Sequence, residues 1–73
     1  MDNIGKRAAL AILGRVGNHD LGMELDRLEL TRQCLYQWEV GKHAPGGKAL
    51  RRMALAGYDV IYILTGKETK NEN

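Results

Sequence analysis

Four polar side chains in the middle of the chain have the chemistry needed to recognise a nucleic acid. On a helical wheel of residues 32–39 they share one side: Arg32, Gln33, Tyr36 and Gln37. The DNA major groove, about 12 Å wide, admits one helix, and guanidinium and amide groups match the hydrogen-bonding edges of base pairs. Arg32 could pair with guanine, and Gln33 or Gln37 with adenine. Tyr36 could reach a phosphate or pack on a thymine methyl group.

The remaining residues of this segment predict how such a helix would be held. Its other side is apolar and should face the core: Cys34, Leu35 and Trp38. Thr31 precedes the segment and can cap the helix through its hydroxyl group. Gly41 should end the helix, and Pro45 blocks its continuation. Trp38 is expected to be a core residue, and Cys34 a small buried residue without catalytic function.

Helical signals also occur on both sides of this segment. Residues 4–13 predict a largely buried first helix that begins after Asn3, and its end is marked by Gly14, Gly17 and Asn18. A second helix should begin at Asp20, because leucines then recur at helical spacing in one apolar stripe. The stripe consists of Leu21, Leu25 and Leu28. Together with the central segment, this gives the order helix, tight turn, helix.

Two further segments complete the predicted fold. Residues 48–56 predict a fourth helix with an apolar side of Ala49, Leu50, Met53 and Ala54. Residues 59–64 are compatible with a strand or a short helix, since six residues do not settle the period. No second strand candidate exists, which favours a short helix capped by Asp59. The apolar residues 60–63 belong to the core or to an interface between subunits.

The length and composition define the class of protein. A chain of 73 residues, 44% hydrophobic and 27% charged, predicts one folded domain over residues 1–66 and a flexible tail over residues 67–73. A domain of this size buries little surface, so a homodimer is expected. One cysteine excludes an internal disulfide. With no leader sequence and no apolar run of about 18 residues, the expected location is the cytoplasm and no membrane is expected as a partner.

The residue content argues against an enzyme. Cys34 has no histidine or aspartate placed by sequence to activate it. His19, His43 and Cys34 lack the paired spacing of a zinc site, so no metal is expected. No cofactor or small-molecule ligand is predicted either.

The net charge of +2 conceals an uneven distribution. Residues 18–29 carry four acids and one arginine, a local net charge of −3, whereas residues 42–57 carry four basic residues and no acid. Phosphate attraction should therefore come from the loop after the third helix. Lys48, Arg51 and Arg52 are either a solvated face or additional phosphate contacts, and His43 is either a solvated loop residue or a phosphate contact.

Two stretches resemble a known family. Residues 31–42 (TRQCLYQWEVGK), followed by Pro45, resemble the recognition helix and exit loop of the Cro/CI (XRE) helix-turn-helix family, whose members typically read Ser/Thr-x-x-x-Ile-x-x-Trp-Glu-x-Gly-Lys and then Pro. Residues 55–66 (LAGYDVIYILTG) resemble the closing helix of its phage-repressor-like members. The resemblance covers residues 21–66. It implies an all-α, five-helix lambda-repressor-like helix-turn-helix domain.

The resemblance also assigns functions to residues. It implies base contacts from Arg32, Gln33 and Gln37, and phosphate contacts from Thr31 and Lys42. A structural ion pair between Glu39 and Arg15 is implied as well, because many relatives have the corresponding pair. The expected function is a Cro/CI-like transcriptional regulator, in which a homodimer occludes a palindromic operator in double-stranded DNA.

The second helix departs from the family pattern. The chain has Leu25 where relatives usually have alanine, and Glu29 where they have glycine in the turn. A positive φ at Glu29 would cost about 1 kcal/mol. The carboxylates of this helix would repel phosphates: Asp20, Glu24, Asp26 and Glu29. They motivate an alternative function, a protein-interaction module such as an antirepressor or antitoxin on the same scaffold.

Overall fold

The computed structural model describes residues 3–67, and this part of the chain is all-helical. Five helices follow in order: α1 (Ile4–Val16), α2 (Leu21–Leu28), α3 (Arg32–Glu39), α4 (Gly47–Leu55) and α5 (Val60–Thr65). The all-α class with five helices is therefore confirmed, and no strand occurs among residues 3–67. None of these helices is long and apolar enough to cross a membrane. The predicted tail lies outside the described residues except for Lys67.

Helix α1 is the central element and packs against α2, α3 and α5. It begins where the Asn3 side chain accepts a hydrogen bond of 2.8 Å from the backbone N–H of Lys6, which satisfies one free donor of the first turn. Ala8, Ala9 and Ile12 are fully buried. The small side chains of Ala8 and Ala9 allow neighbouring helices to approach α1 closely, and the larger Ile12 fills the space between them.

Helix α1 continues past Gly14, the first of the three residues predicted to mark its end, as far as Val16, and the second of them, Gly17, is its C-cap. Gly14 is exposed in the helix interior, where glycine costs about 1 kcal/mol relative to alanine. Val16 packs partly against the core, and this burial offsets that cost. The helix ends at Gly17, which has φ 65° and donates its N–H to the carbonyl oxygen of Leu13 at 2.8 Å.

Gly5 is buried where α1 meets the end of α3. A Cβ atom at this position would lie 2.4 Å from the carbonyl oxygen of His43 and 3.0 Å from that of Trp38. Both neighbours are backbone atoms, so they could not move aside as the tip of a side chain does. Glycine at position 5 thus allows α1 to contact the backbone of the loop that follows α3.

Helix α2 follows the predicted apolar stripe, and Leu21, Leu25 and Leu28 are all buried. The helix ends at Glu29, which adopts the left-handed conformation with φ 59°. A residue with a Cβ atom pays about 1 kcal/mol or more for this conformation. The reversal lets Leu30 donate its N–H to the carbonyl oxygen of Leu25 at 2.8 Å and directs the chain into α3.

Helices α4 and α5 close the core, with Met53, Tyr58 and Ile63 buried. The prediction that Ala54 faces inward was wrong, since Ala54 is exposed. It follows Met53 and is rotated by about 100° around the helix axis from that buried residue. The choice of a short helix for residues 59–64 was correct, and the Asp59 carboxylate accepts the N–H of Tyr62 at 3.0 Å.

Arg7 ties α1 to the end of α5. Its Nε donates to the carbonyl oxygen of Ile63 at 2.9 Å, and one of its terminal nitrogens donates to that of Leu64 at 3.3 Å. These carbonyl groups belong to the last turn of α5, where intrahelical donors are missing and the helix dipole favours a cation. Arg7 therefore stabilises a helix of only six residues.

Candidate nucleic-acid interface

Helix α3 has the two sides that its sequence predicts. Leu35 and Trp38 are buried against the core, whereas Arg32, Gln33 and Tyr36 are exposed. Tyr36 is 57% exposed although it is a large aromatic residue. The apolar side fixes the rotation of α3 about its own axis, and the three exposed side chains consequently point away from the core.

The first turn of α3 lies beside the first turn of α2. Thr31 caps α3 as predicted, because its hydroxyl oxygen accepts the N–H of Cys34 at 3.0 Å. The same hydroxyl can still donate its hydrogen to an acceptor outside the protein. A Cβ atom at Gly22 would lie 3.6 Å from a terminal nitrogen of Arg32. This is an ordinary van der Waals distance, so the guanidinium group of Arg32 lies against α2 at Gly22.

The loop after α3 places two more predicted residues at the other end of the helix. Gly41, with φ 83°, turns the chain. The backbone N–H groups of Lys42 and His43 both donate to the carbonyl oxygen of Gln37, at 3.0 and 3.3 Å. Both side chains are exposed. Thr31 and Lys42 therefore mark the two ends of the exposed side of α3.

Gln37 differs from the other residues of the predicted set. It is half-buried, and its Oε1 atom is buried without a hydrogen-bond partner. On the helical wheel Gln37 lies about 140° from Arg32, at the edge of the exposed side. A buried acceptor without a donor costs about 1–3 kcal/mol. The structure therefore groups Arg32, Gln33 and Tyr36 together and sets Gln37 apart.

Replacing Gln37 by methionine is expected to raise the free energy of unfolding by about 1 kcal/mol. Methionine has nearly the same length, and the change removes the buried acceptor that lacks a donor. Urea denaturation followed by circular dichroism measures the effect. Gln33→Met is the matched control at an exposed position and should leave stability within about 0.5 kcal/mol. A Gln37→Met variant less stable than this control would contradict the assignment.

One acid of α2 belongs to a buried polar cluster. Glu24 is 6% exposed, its carboxylate accepts two hydrogen bonds of 2.9 Å from one terminal nitrogen of Arg27, and it also accepts the hydroxyl hydrogen of Tyr58. Arg15 lies 4.5 Å from the centre of the Tyr58 ring. Burial opposes ionisation of Glu24, but the hydrogen bonds and the two arginines outweigh it and lower the pKa of Glu24 below 4.5.

On the phenol, burial and the hydrogen bond to Glu24 both oppose ionisation, and together they raise the pKa of Tyr58 to about 12. The phenol is therefore a neutral donor, and the carboxylate is a charged acceptor, over most of the pH range. The cluster joins α1, α2 and the segment between α4 and α5. The charges of Glu24, Arg27 and Arg15 interact with each other and with Tyr58 inside the domain.

Replacing Tyr58 by phenylalanine is expected to lower the free energy of unfolding by about 1.5 kcal/mol at pH 7, since a buried carboxylate loses a donor. The raised pKa of Tyr58 contributes stability that is present below pH 10 and is lost as the pH rises towards 12. The lowered pKa of Glu24 contributes stability that is present above pH 4.5 and is lost at lower pH.

The difference between the wild-type protein and Tyr58→Phe should therefore shrink on both sides of that range. Urea denaturation at pH 4, 7 and 11 measures it, with Tyr62→Phe as the control. Tyr62 is exposed at the surface of α5, outside the buried cluster. A difference that stayed constant between pH 7 and 11 would contradict the hydrogen bond as the cause.

Glu29 is the second acid of α2 that is neutralised within the chain. Its carboxylate lies 2.9 Å from a terminal nitrogen of Arg52 on α4. Asp20 and Asp26 are exposed and form no ion pair with any residue between 3 and 67. Half of the acidic side chains of α2 are thus paired internally, which reduces their repulsion towards an external anion.

The ion pair implied between Glu39 and Arg15 does not form between the described residues. The guanidinium group of Arg15 lies over the ring of Tyr58 instead, and its charge acts on Glu24. Glu39 lies at the other side of α1, on the rim of a shallow groove with Lys6. No local sequence pattern predicts the Tyr58 cluster, because its members come from three separate segments.

Basic residues without an ion pair lie in the loop after α3 and on α4. Lys42, Lys48 and Arg51 are exposed, whereas Arg52 forms an ion pair with Glu29. Among residues 3–67, no group of histidine, cysteine, aspartate and glutamate side chains could hold a metal ion. Burial raises the pKa of the Cys34 thiol, which keeps this group protonated.

The fold and the exposed side of α3 define a five-helix domain with a polar helix presented to solvent. The chain matches no model of a protein family, no curated protein and no solved structure.

Proposed function

We propose that this protein is a sequence-specific double-stranded DNA-binding regulator that reads the major groove with α3. The observation that carries the proposal is the orientation of α3, which directs Arg32, Gln33 and Tyr36 away from the core. Leu35 and Trp38 anchor the helix from behind. A helix held in this way can enter a groove without exposing apolar surface to it.

The proposed contacts divide into two kinds. Arg32 and Gln33 hydrogen-bond to base edges and give sequence preference. Gln37 does not present both of its amide groups to a base, because its Oε1 atom is buried. Thr31 and Lys42 contact phosphates at the two ends of α3, with His43 beside them. Lys48 and Arg51 extend the positive surface along α4.

The domain is proposed to have the lambda-repressor-like helix-turn-helix arrangement and to be similar in function to Cro/CI family repressors. A homodimer in the cytoplasm would place two α3 helices in successive major grooves, about 34 Å apart, on a palindromic operator. Bound in this way, it would block access of other proteins to the same DNA. No cofactor, metal or catalytic step enters the mechanism.

The alternative, a protein-interaction module, rested on the acidic second helix. Glu24 is buried and Glu29 is paired with Arg52, so this helix offers a smaller negative surface than its sequence indicates. The main objection to phosphate binding is correspondingly weaker. The arrangement therefore favours DNA over an interaction module as the biochemical function.

The salt dependence of duplex binding tests this proposal. Affinity for a labelled DNA duplex should fall steeply with salt, and Lys42→Ala should reduce the slope of log K against log salt by about 0.9, because one phosphate contact is lost. Lys67→Ala, an exposed lysine after α5, is the matched control and should leave the slope unchanged. Absence of salt-dependent duplex binding would contradict the proposal and favour the interaction module.

A further inference from the structure

We propose that the shallow groove between α1 and α3 is the surface on which a second copy of this chain docks. The groove has a volume of about 190 Å³ and is lined by Lys6, Leu10 and Glu39. This inference names a protein surface and its partner. It does not depend on the proposed reading of DNA.

The apolar part of the groove is Leu10. This leucine is 64% exposed, although Ala9 beside it and Ile12 two residues further along are fully buried. Val40, which follows Glu39, is a second large apolar side chain and is 45% exposed. Covering Leu10 removes apolar area from water, and this favours association at the groove.

The charges on the rim determine which occupant fits. Lys6 and Glu39 line the same groove, and neither side chain forms an ion pair or hydrogen bond with another residue in the described part of the chain. A half-buried positive group and an exposed negative group therefore line the same groove as one leucine, and neither is paired within residues 3–67.

This pattern is self-complementary under a two-fold axis. If two copies meet with their Leu10 side chains near the axis, Lys6 faces the partner subunit's Glu39, and Glu39 faces the partner subunit's Lys6. Such reciprocity is the requirement for the interface of a symmetric dimer. A foreign partner would need the same opposite charges at the same spacing, whereas a second copy has them by construction.

Two other exposed surfaces fit a second copy less well. Helix α5 exposes apolar residues without a charged pair to set their register: Ile61, Tyr62 and Leu64. A groove of about 250 Å³ between α2 and α4 has the exposed Leu55 and two arginines. Those arginines, Arg27 and Arg52, are already paired with acids of α2. Of these three surfaces, all within residues 3–67, the groove between α1 and α3 combines exposed apolar area with opposite charges that are not paired.

The proposal can be tested without DNA by reversing one charge in each of two variants and measuring the self-association of each variant and of their mixture. In sedimentation equilibrium at low salt, Lys6→Glu and Glu39→Lys should each weaken self-association about tenfold or more, because like charges then face each other across the axis. An equimolar mixture of the two variants should regain wild-type association. In that mixture each acidic copy meets a basic copy, so both contacts are restored.

A third variant tests the apolar contact. Leu10→Ser should also weaken self-association, and Ile61→Ser on α5 is the matched control that should not. Circular dichroism checks that every variant is folded. A monomeric wild-type protein at millimolar concentration, a mixture no more associated than its components, or dissociation by Ile61→Ser with Leu10→Ser unaffected would each overturn the proposal. None of these outcomes bears on whether the protein binds DNA.

Discussion

An alanine at position 5 is expected to lower the free energy of unfolding by about 2–3 kcal/mol, because its Cβ atom overpacks a backbone contact. The added atom would lie 2.4 Å from the carbonyl oxygen of His43. Relief requires α1 and the loop after α3 to separate, which also removes contacts of Trp38. Urea denaturation of Gly5→Ala followed by the fluorescence of this tryptophan measures the loss.

Gly14→Ala is the matched control in the same helix. A Cβ atom at position 14 meets no atom within 4 Å, and alanine is favoured over glycine inside a helix by about 1 kcal/mol. This variant should therefore be more stable than the wild-type protein. Equal stability changes of one sign in both variants would contradict the close approach of α1 to the loop after α3.

Removal of the Arg32 side chain is expected to weaken binding to the preferred DNA duplex by about 5- to 150-fold, the range for the loss of a bidentate base contact. The discrimination between the four bases should also disappear at one position of the site. Fluorescence anisotropy with four duplexes that differ at that position measures both effects. The protein must be folded for this comparison, and Arg32 is exposed, so its removal should hardly change stability.

Arg51→Ala separates reading of bases from attraction to phosphates. Arg51 is an exposed arginine on α4, outside the proposed reading helix. Its removal should weaken binding to all four duplexes equally or leave it unchanged. If Arg32→Ala also weakened all four duplexes equally, Arg32 would be a phosphate contact and the assignment of base reading to it would be wrong.

Periodicity and capping residues were sufficient to predict the helices. The leucine stripe of α2 and the apolar side of α3 lie in the core, since both patterns are local and have one dominant period. Thr31 and Asp59 cap α3 and α5 as their positions indicated. The exposed set on α3 followed from the same local pattern, which is why most of the candidate interface could be predicted.

Contacts between distant segments could not be predicted in the same way. Gly5 resembles any glycine in a helix until the backbone of His43 is placed beside it. Glu24 resembles a solvated acid until Tyr58, 34 residues further along the chain, donates to it. The burial of the Gln37 amide oxygen likewise depends on tertiary packing, because its position on the helical wheel is only marginally exposed.

The selection of bound duplexes from a random pool tests the central claim most directly. The proposed dimer predicts an enriched, roughly palindromic sequence whose half-sites lie about one helical turn apart, about 10 base pairs between centres. The Arg32→Ala variant should lose the preference at one position of each half-site. A pool that shows no sequence preference after repeated selection, with the folded wild-type protein, would contradict recognition of DNA sequence by α3.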